Sequence, residues 1–321
     1  MKSVQQEMNE RTNLTGNNQF ELLLFQLGKD AVSGRSELFG INVFKIREIV
    51  AMPDITAVAG THPYMLGIIN LRGQVITVYD LPAIVNRVPE TGLNIMLITE
   101  FARTTQAFAV ESVEDIARLD WGQVLSAEAH NADGVVTSIA RLDGDVDNSR
   151  LVQVLDVETI LRNLTPTHEP DINPATIGPQ IHLKPGQIIL AADDSVVARS
   201  MIEQGLSAMG ISFVMTKTGK EAWDQLNAIA SQAEAEGHAV QDRIALVLTD
   251  LEMPEMDGFT LTRNIKQDKR FQGIPVVIHS SLTGTANEDH VKSVGADAYV
   301  AKFVAEELAA TLRSVLGACR T

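Results

Sequence analysis

One cysteine, Cys319, stands in 321 residues. That excludes an internal disulfide and a zinc site built on cysteines. No apolar run approaches the ~18 residues that a membrane-spanning helix needs. Met1 to Gln19 is polar and lacks the apolar stretch of a secretory signal. A reducing, cytoplasmic setting is the expectation. Positive charge is also in short supply: 26 Lys and Arg face 41 Asp and Glu, a formal charge of −15. The deficit is even, with 13 basic and 21 acidic side chains in residues 1–165, and 13 and 20 in residues 166–321. Neither half carries the basic footprint of a nucleic-acid binder. The acidic surplus reads as solvated surface.

What is present is ordinary for a folded protein. The chain is 45% hydrophobic and 21% charged, which rules out wholesale disorder. Its length suits about two domains. Five of the 11 prolines, Pro166, Pro170, Pro174, Pro179 and Pro185, fall within 20 residues. Proline fixes φ and removes a backbone donor, so residues 164–185 are expected to be a stiffened linker.

The patterns on its two sides differ. Before the linker, short apolar runs alternate with turn signals. Strands are expected at Phe20–Leu27, Leu38–Ile41, Met65–Leu71 and Gln74–Asp80, the last two around Arg72-Gly73. Two further hairpins are expected at 94–110 and 134–157. Val43–Ile49 fits a short helix as well as a strand. Such a series argues a β-barrel or sandwich. After the linker, five strand patterns alternate with five helical ones. The strands are Gln187–Ala192, Ile211–Thr216, Ile244–Thr249, Pro275–Ser280 and Ala298–Ala301. The helices are Ser195–Met209, Gly219–Ala233, Phe259–Gln267, Asn287–Val294 and Ala305–Leu316. This alternation argues a doubly wound α/β fold with a five-stranded parallel sheet. Ser231–Asp242 is longer than such a domain needs and reads as an extended helix and loop.

In such a sheet, ligands sit at the C-terminal strand ends. Asp193 and Asp194 follow the first strand, Asp250 the third, Ser280 the fourth and Lys302 the fifth. Three carboxylates at one edge repel and need a cation. An oxygen-only donor set suits a hard ion, with Mg²⁺ the natural choice. A hydroxyl and an ammonium beside it can hold phosphoryl oxygens, and Asp250 can be the nucleophile. A lone strand-end Asp is usually a cap; the combination carries the weight.

Those motifs, Ile188–Ser195, Leu248–Gly258, Ile274–Ser281 and Gly295–Lys302, resemble the response-regulator receiver family, whose fold is flavodoxin-like. The resemblance implies that Asp250 is the phosphoacceptor. It implies that Mg²⁺ is held by Asp193, Asp194, Asp250 and the Glu252 main-chain carbonyl. Ser280 becomes the switch hydroxyl, Lys302 the phosphate contact, and Tyr299 the aromatic that changes rotamer. One departure stands out. Phe303 follows Lys302 where the family usually has a cis proline, which leaves the geometry of that bond open.

Residues 1–165 hold no catalytic constellation, and His62 and His130 are isolated. Leu38–Val50 and His62–Leu81, with Gly67-Ile68-Ile69-Asn70-Leu71-Arg72-Gly73, resemble the CheW-like coupling domains. The resemblance covers about residues 19–163. It implies an all-β fold of two small five-stranded β-barrels sharing one core. It also implies chemoreceptor cytoplasmic tips and the histidine kinase CheA as partners. Arg72 matches the family's functional arginine, expected to reach a partner carboxylate.

Together the halves resemble the CheV-type chemotaxis family. The expected architecture is a flexible segment 1–18, a coupling domain 19–163, the linker 164–185 and a receiver 186–321. The expected protein is a non-enzymatic cytoplasmic scaffold at membrane chemoreceptor arrays. Its receiver would modulate coupling, for adaptation or as a phosphate sink. Two alternatives stay open: a pseudo-receiver scaffold that acts without phosphorylation, and an aspartate-nucleophile phosphatase.

Overall fold

The computed structural model describes residues 19–101, 104–127, 134–143, 149–164, 177–280, 294–302 and 304–318. The segment 1–18, most of the linker, His130, the helix expected at 287–294, Phe303 and its bond to Lys302, and Cys319 lie outside these residues, wholly or nearly so. The chain divides into two compact units, residues 1–167 and 168–321.

The first unit begins with the long strand β1 (Phe20–Asp30), followed by β2 (Ser36–Asn42). Val43–Lys45 forms one 3-10 turn capped by the Asn42 side chain, and β3 (Ile46–Ala51) follows at once. Both readings of that ambiguous stretch therefore hold, one for each half. Strands β4 (Met65–Leu71) and β5 (Gln74–Asp80) form a hairpin. Asp80 then caps the short helix α1 (Leu81–Ile84). The remaining strands are β6 (Arg87–Val88), β7 (Ile95–Phe101), β8 (Thr104–Val110), β9 (Ser112–Leu119), β10 (Val124–Ser126), β11 (Val136–Arg141) and β12 (Leu151–Leu155). The last apolar run does not stay a strand through Val157. Asp156 accepts bonds from Glu158 N and Thr159 N, and helix α2 (Val157–Leu164) starts there.

These strands make two sheets. One has five strands in the order β3-β7-β8-β5-β4. The other has seven, ordered β10-β11-β12-β2-β1-β6, with β9 also paired to β1. Alternation of side chains gives each sheet an inner face. Phe20, Leu22, Val152 and Val154 fill one, and Ile76, Val78, Met96 and Ile98 the other. A third cluster, with Phe25, Phe39, Leu97, Phe108 and Leu161, draws on both sheets and on α2. The all-β unit with one core shared between two strand sets is as expected; five strands hold for one sheet, while the other has seven because β6 and β9 both pair with β1.

Among its described residues the second unit has the five expected strands and four of the five expected helices, the helix expected at 287–294 lying outside them. Its elements are β13 (Ile188–Ala192), α3 (Val196–Ala208), β14 (Phe213–Thr216), α4 (Gly219–Ala235), β15 (Ile244–Thr249), α5 (Gly258–Gln267), β16 (Val276–Ser280), β17 (Ala298–Ala301) and α6 (Ala305–Ala318). The sheet is parallel, ordered β14-β13-β15-β16-β17. Its strands read as unbroken apolar runs because both faces are covered. One face packs around Ile189, Leu246 and Leu248, the other around Leu190, Val247 and Val276. The sheet order turns outward in both directions from β13 and β15, and that reversal opens the crevice at their C-terminal ends. The extended stretch after α4 ends in a 3-10 turn at Val240–Asp242. There the Gln241 amide donates to Arg270 O and Gln272 O, so the insertion is tied to the loop after α5.

The last part of the expected linker belongs to this unit. Ile177 and Ile181 are buried in its core.

Candidate functional site

Four strand ends deliver polar groups to the crevice: Asp193 and Asp194 from β13, Asp250 from β15, Ser280 from β16 and Lys302 from β17. The β13 register holds Asp193 through its N–H, which donates to Thr216 O. Asp250 is held likewise by its N–H to Ala192 O at 2.9 Å. Carboxylate oxygens of Asp193, Asp194 and Asp250 all lie within 4.8 Å of one another. Lys302 closes the group. Its Nζ is 2.9 Å from Asp193 Oδ2 and 2.9 Å from Asp250 Oδ2. Its own N–H donates to Ser280 O at 2.9 Å, which ties the last two strand ends together. Asp193 is fully buried, and Asp250, Ser280 and Lys302 are nearly so.

Backbone contacts around the crevice fix its shape. Ser195 caps α3, and its N–H donates to Asp193 Oδ1 at 3.0 Å. Asp250 Oδ1 accepts from Leu251 N at 2.7 Å. Asp257 caps α5 with bonds from Thr260 N and Oγ1. Burial raises the Asp257 carboxyl pKa above its ordinary value, against those bonds. Gly258 sits against the strand end: a Cβ there would lie 2.0 Å from Asp250 O. No side chain fits, which explains the glycine after Asp257.

Glu252 lies half-buried, two residues past Asp250. Tyr299, on β17, packs beside Leu251, Phe259 and Ile278. Arg72 belongs to the first unit and not to this crevice. It occupies the β4–β5 turn at φ 52, and Asn70 Oδ1 accepts from the next N–H. Its side chain is exposed, with Nη2 2.6 Å from Glu48 Oε1. The carboxylate facing its fork therefore comes from this chain's own β3.

Sequence reasoning missed Arg199. From the first turns of α3, its Nη1 donates to Asp193 O at 2.9 Å and Asp194 O at 2.7 Å. A cation near a helix N-terminus opposes the helix dipole. That local conflict was the available signal, and the acidic loop's carbonyls resolve it.

The charges do not balance. Three carboxylates stand at the crevice, and among the described residues one buried ammonium pairs with two of them, Asp193 and Asp250. Burial pushes the Asp193 carboxyl well above the usual range. Lys302 opposes the rise, while Asp250 and Asp194 add to it. An all-oxygen donor set with surplus negative charge fits a hard divalent cation. A pH prediction follows. The folded protein holds a proton on Asp193 at pH values where the unfolded chain has released it. Stability in the absence of metal must then fall as pH rises from about 4 through the folded-state pKa. A divalent cation replaces the proton's charge. Saturating Mg²⁺ should raise the melting temperature more at about pH 8 than at about pH 5. Equal or smaller stabilisation at the higher pH would contradict this account.

An all-β unit joined to a parallel-sheet unit with this acidic crevice defines a two-module signalling protein. Residues 21–165 match the CheW-like domain family, and residues 189–313 match the response regulator receiver domain family. The two matches in one chain, with relatives named CheV along nearly its full length, support a CheV-type chemotaxis protein. It is 28% identical over 328 residues to the chemotaxis protein CheV2 of Helicobacter pylori, covering 97% of this chain and 99% of that one. It is 31% identical over 131 residues to CheY1 of the same organism, covering 40% of this chain and 96% of that one. Among solved structures, the scaffolding protein TtCheW of Thermoanaerobacter tengcongensis aligns with a TM-score of 0.37 at 23% identity, covering 44% of this chain and 90% of that one. No helix among the described residues is long and apolar enough to cross a membrane.

Proposed function

We propose that the first unit couples chemoreceptor cytoplasmic tips to the histidine kinase CheA, and that the second accepts phosphate from that kinase on Asp250. The carrying observation is the buried group Asp193, Asp194, Asp250 and Lys302 at the crevice. An Asp250 oxygen attacks the phosphorus of the kinase phosphohistidine. The N–P bond breaks, its electron pair stays on the imidazole, and an aspartyl phosphate forms. Asp193, Asp194, Asp250 and the Glu252 main-chain carbonyl would hold Mg²⁺. That ion supplies positive charge for the phosphoryl oxygens. Lys302 contacts the phosphoryl group, and the Ser280 hydroxyl turns towards it. Tyr299 then moves into the space vacated by the hydroxyl. The chain works in the cytoplasm at receptor arrays and performs no turnover on a free substrate. Modulation of coupling, as adaptation or as a phosphate sink, is the output.

The test is incubation of the full chain with ³²P-labelled phospho-CheA and Mg²⁺. Label should move to this chain and be lost on treatment with hydroxylamine, which cleaves acyl phosphates. A chain that stays unlabelled would support the pseudo-receiver alternative.

For the first unit, Arg72 carries the partner reading. A receptor or kinase carboxylate would take over the exposed fork from Glu48. Arg72→Glu should weaken capture of receptor tips or CheA on the order of tenfold, since rim charges contribute modestly to affinity. Melting should hardly change, because Arg72 is exposed. Unchanged affinity for both partners would remove Arg72 from the interface.

A further inference from the structure

The receiver unit holds more chain than the family pattern spans. That match begins at residue 189, yet Ile177 and Ile181 lie 2% and 7% exposed in the unit's core. They join Met209 and Ile211, which follow α3, and Leu312 and Leu316 on α6. Backbone bonding fixes the path, for the Ile181 N–H donates to Met209 O at 3.0 Å. The strongest hold comes from α6. Arg313 donates from Nη2 to Pro179 O at 2.8 Å, from Nε to the same oxygen at 3.3 Å, and from Nη2 to Ile177 O. One guanidinium thus grips two main-chain carbonyls, and Gly178 lies between them with φ 83. Such a grip recognises the course of the backbone.

The helix that carries this grip begins at the acid crevice. Lys302, bound to Asp193 and Asp250, lies three residues before Ala305. From Ala305 to Arg313 the helix rises about 12 Å. Its apolar side packs through Leu308 and Leu312 into the same core as Val300 of β17 and as Ile177.

We propose that residues 177–183 form a strap whose docking on α6 depends on the phosphorylation state of Asp250, with Arg313 as its clamp. The proposal rests on the reading of Asp250 as phosphoacceptor. A phosphoryl group at Asp250 competes for the Lys302 ammonium, now shared by two carboxylates. Lys302 moves, and the start of α6 moves with it. A packed helix shifts as a body, because close-packed interiors do not deform smoothly. Arg313's hydrogen bonds converge on fixed carbonyls and weaken steeply when misaligned. The strap therefore loosens. In sequence it stands directly before the receiver core.

Hydrogen exchange on the full chain tests this, with and without beryllofluoride plus Mg²⁺ as phosphoryl mimic. The Ile181 amide reports the strap. The Ser195 and Leu251 amides, bonded to Asp193 and Asp250, report the crevice. The expected result is a response at the crevice together with about fivefold or greater acceleration at Ile181, the lower range of common allosteric couplings. Asp250→Asn should abolish both. Arg313→Gln should show the fast Ile181 exchange without the mimic and little further response to it. A responding crevice with unchanged or slower exchange at Ile181 would overturn the strap proposal alone. Silence at both places would overturn the phosphoacceptor reading, and the strap with it. Slow Ile181 exchange in Arg313→Gln would remove Arg313 as the clamp.

Discussion

Asp250→Asn should take up essentially no label from phosphorylated CheA, against ready labelling of the unsubstituted chain. The substitution keeps the shape at the end of β15. Asn Oδ1 can still accept the Leu251 N–H, while its Nδ2 then faces the Lys302 ammonium donor to donor, so Lys302 turns to Asp193 alone. What it loses is the nucleophilic oxygen and one negative charge. An amide cannot yield a stable acyl phosphate, so the chemical step itself is removed. The effect should exceed a hundredfold, the scale on which loss of a reacting group differs from loss of a supporting contact. Stability should hold or rise, since one of three crowded carboxylates is neutralised. Melting and labelling must be measured on the same preparation. A well-folded Asp250→Asn protein that labels at the ordinary rate would place the phosphoacceptor elsewhere.

Lys302→Met should give the largest loss of stability at the crevice. The side chain is almost wholly buried and pairs with Asp193 and Asp250. Methionine has similar length and fills the space. It leaves the carboxylates without their only buried ammonium among the described residues. Removing one partner of a buried ion pair costs about 3–5 kcal/mol. For a domain of this size that is a fall of roughly 10 °C in the receiver transition. The loss should shrink at low pH, where protonation relieves the repulsion, and grow as pH rises. Mg²⁺ should restore part of it by supplying the missing positive charge. Labelling by phospho-CheA should fall as well, because the phosphoryl contact is gone. A Lys302→Met protein that melts with the parent at about pH 8 would show that Lys302 does not neutralise the crevice.

Much of this was legible in the residues. The alternation after residue 186 sets short unbroken apolar runs, the strands covered on both faces, against helices of period 3.6, and local sequence carries both directly. Strand ends could be read from where those runs stop, and so could the positions of Asp193, Asp250, Ser280 and Lys302. The Arg72-Gly73 turn was legible because few residue pairs suit such a tight hairpin. Helix α2 was overlooked although its period is present: Val157, Ile160, Leu161 and Leu164 stand at i, i+3, i+4 and i+7, and all four are buried. Strand β9 escaped as well. Its pairing with β1 breaks register between Leu23 and Phe25, and Glu114-Asp115 interrupts the apolar alternation.

Sequence by itself determined the two modules, their fold classes and the chemical inventory of the crevice. Only tertiary structure decided where long side chains aim. Arg199 turns to the acidic loop's carbonyls, Arg72 to Glu48, and Arg313 to Ile177 and Pro179. An arginine stem has several rotatable bonds, and its partner is chosen by whatever acceptors the fold brings near. The same holds for the proline-rich stretch. Its composition announced an extended chain, but Ile177 and Ile181 find an apolar groove that exists only after α3 and α6 have packed. The Asp193 charge state is decided in the same way. Composition supplies the carboxyl, and burial under the folded sheet makes its ionisation costly.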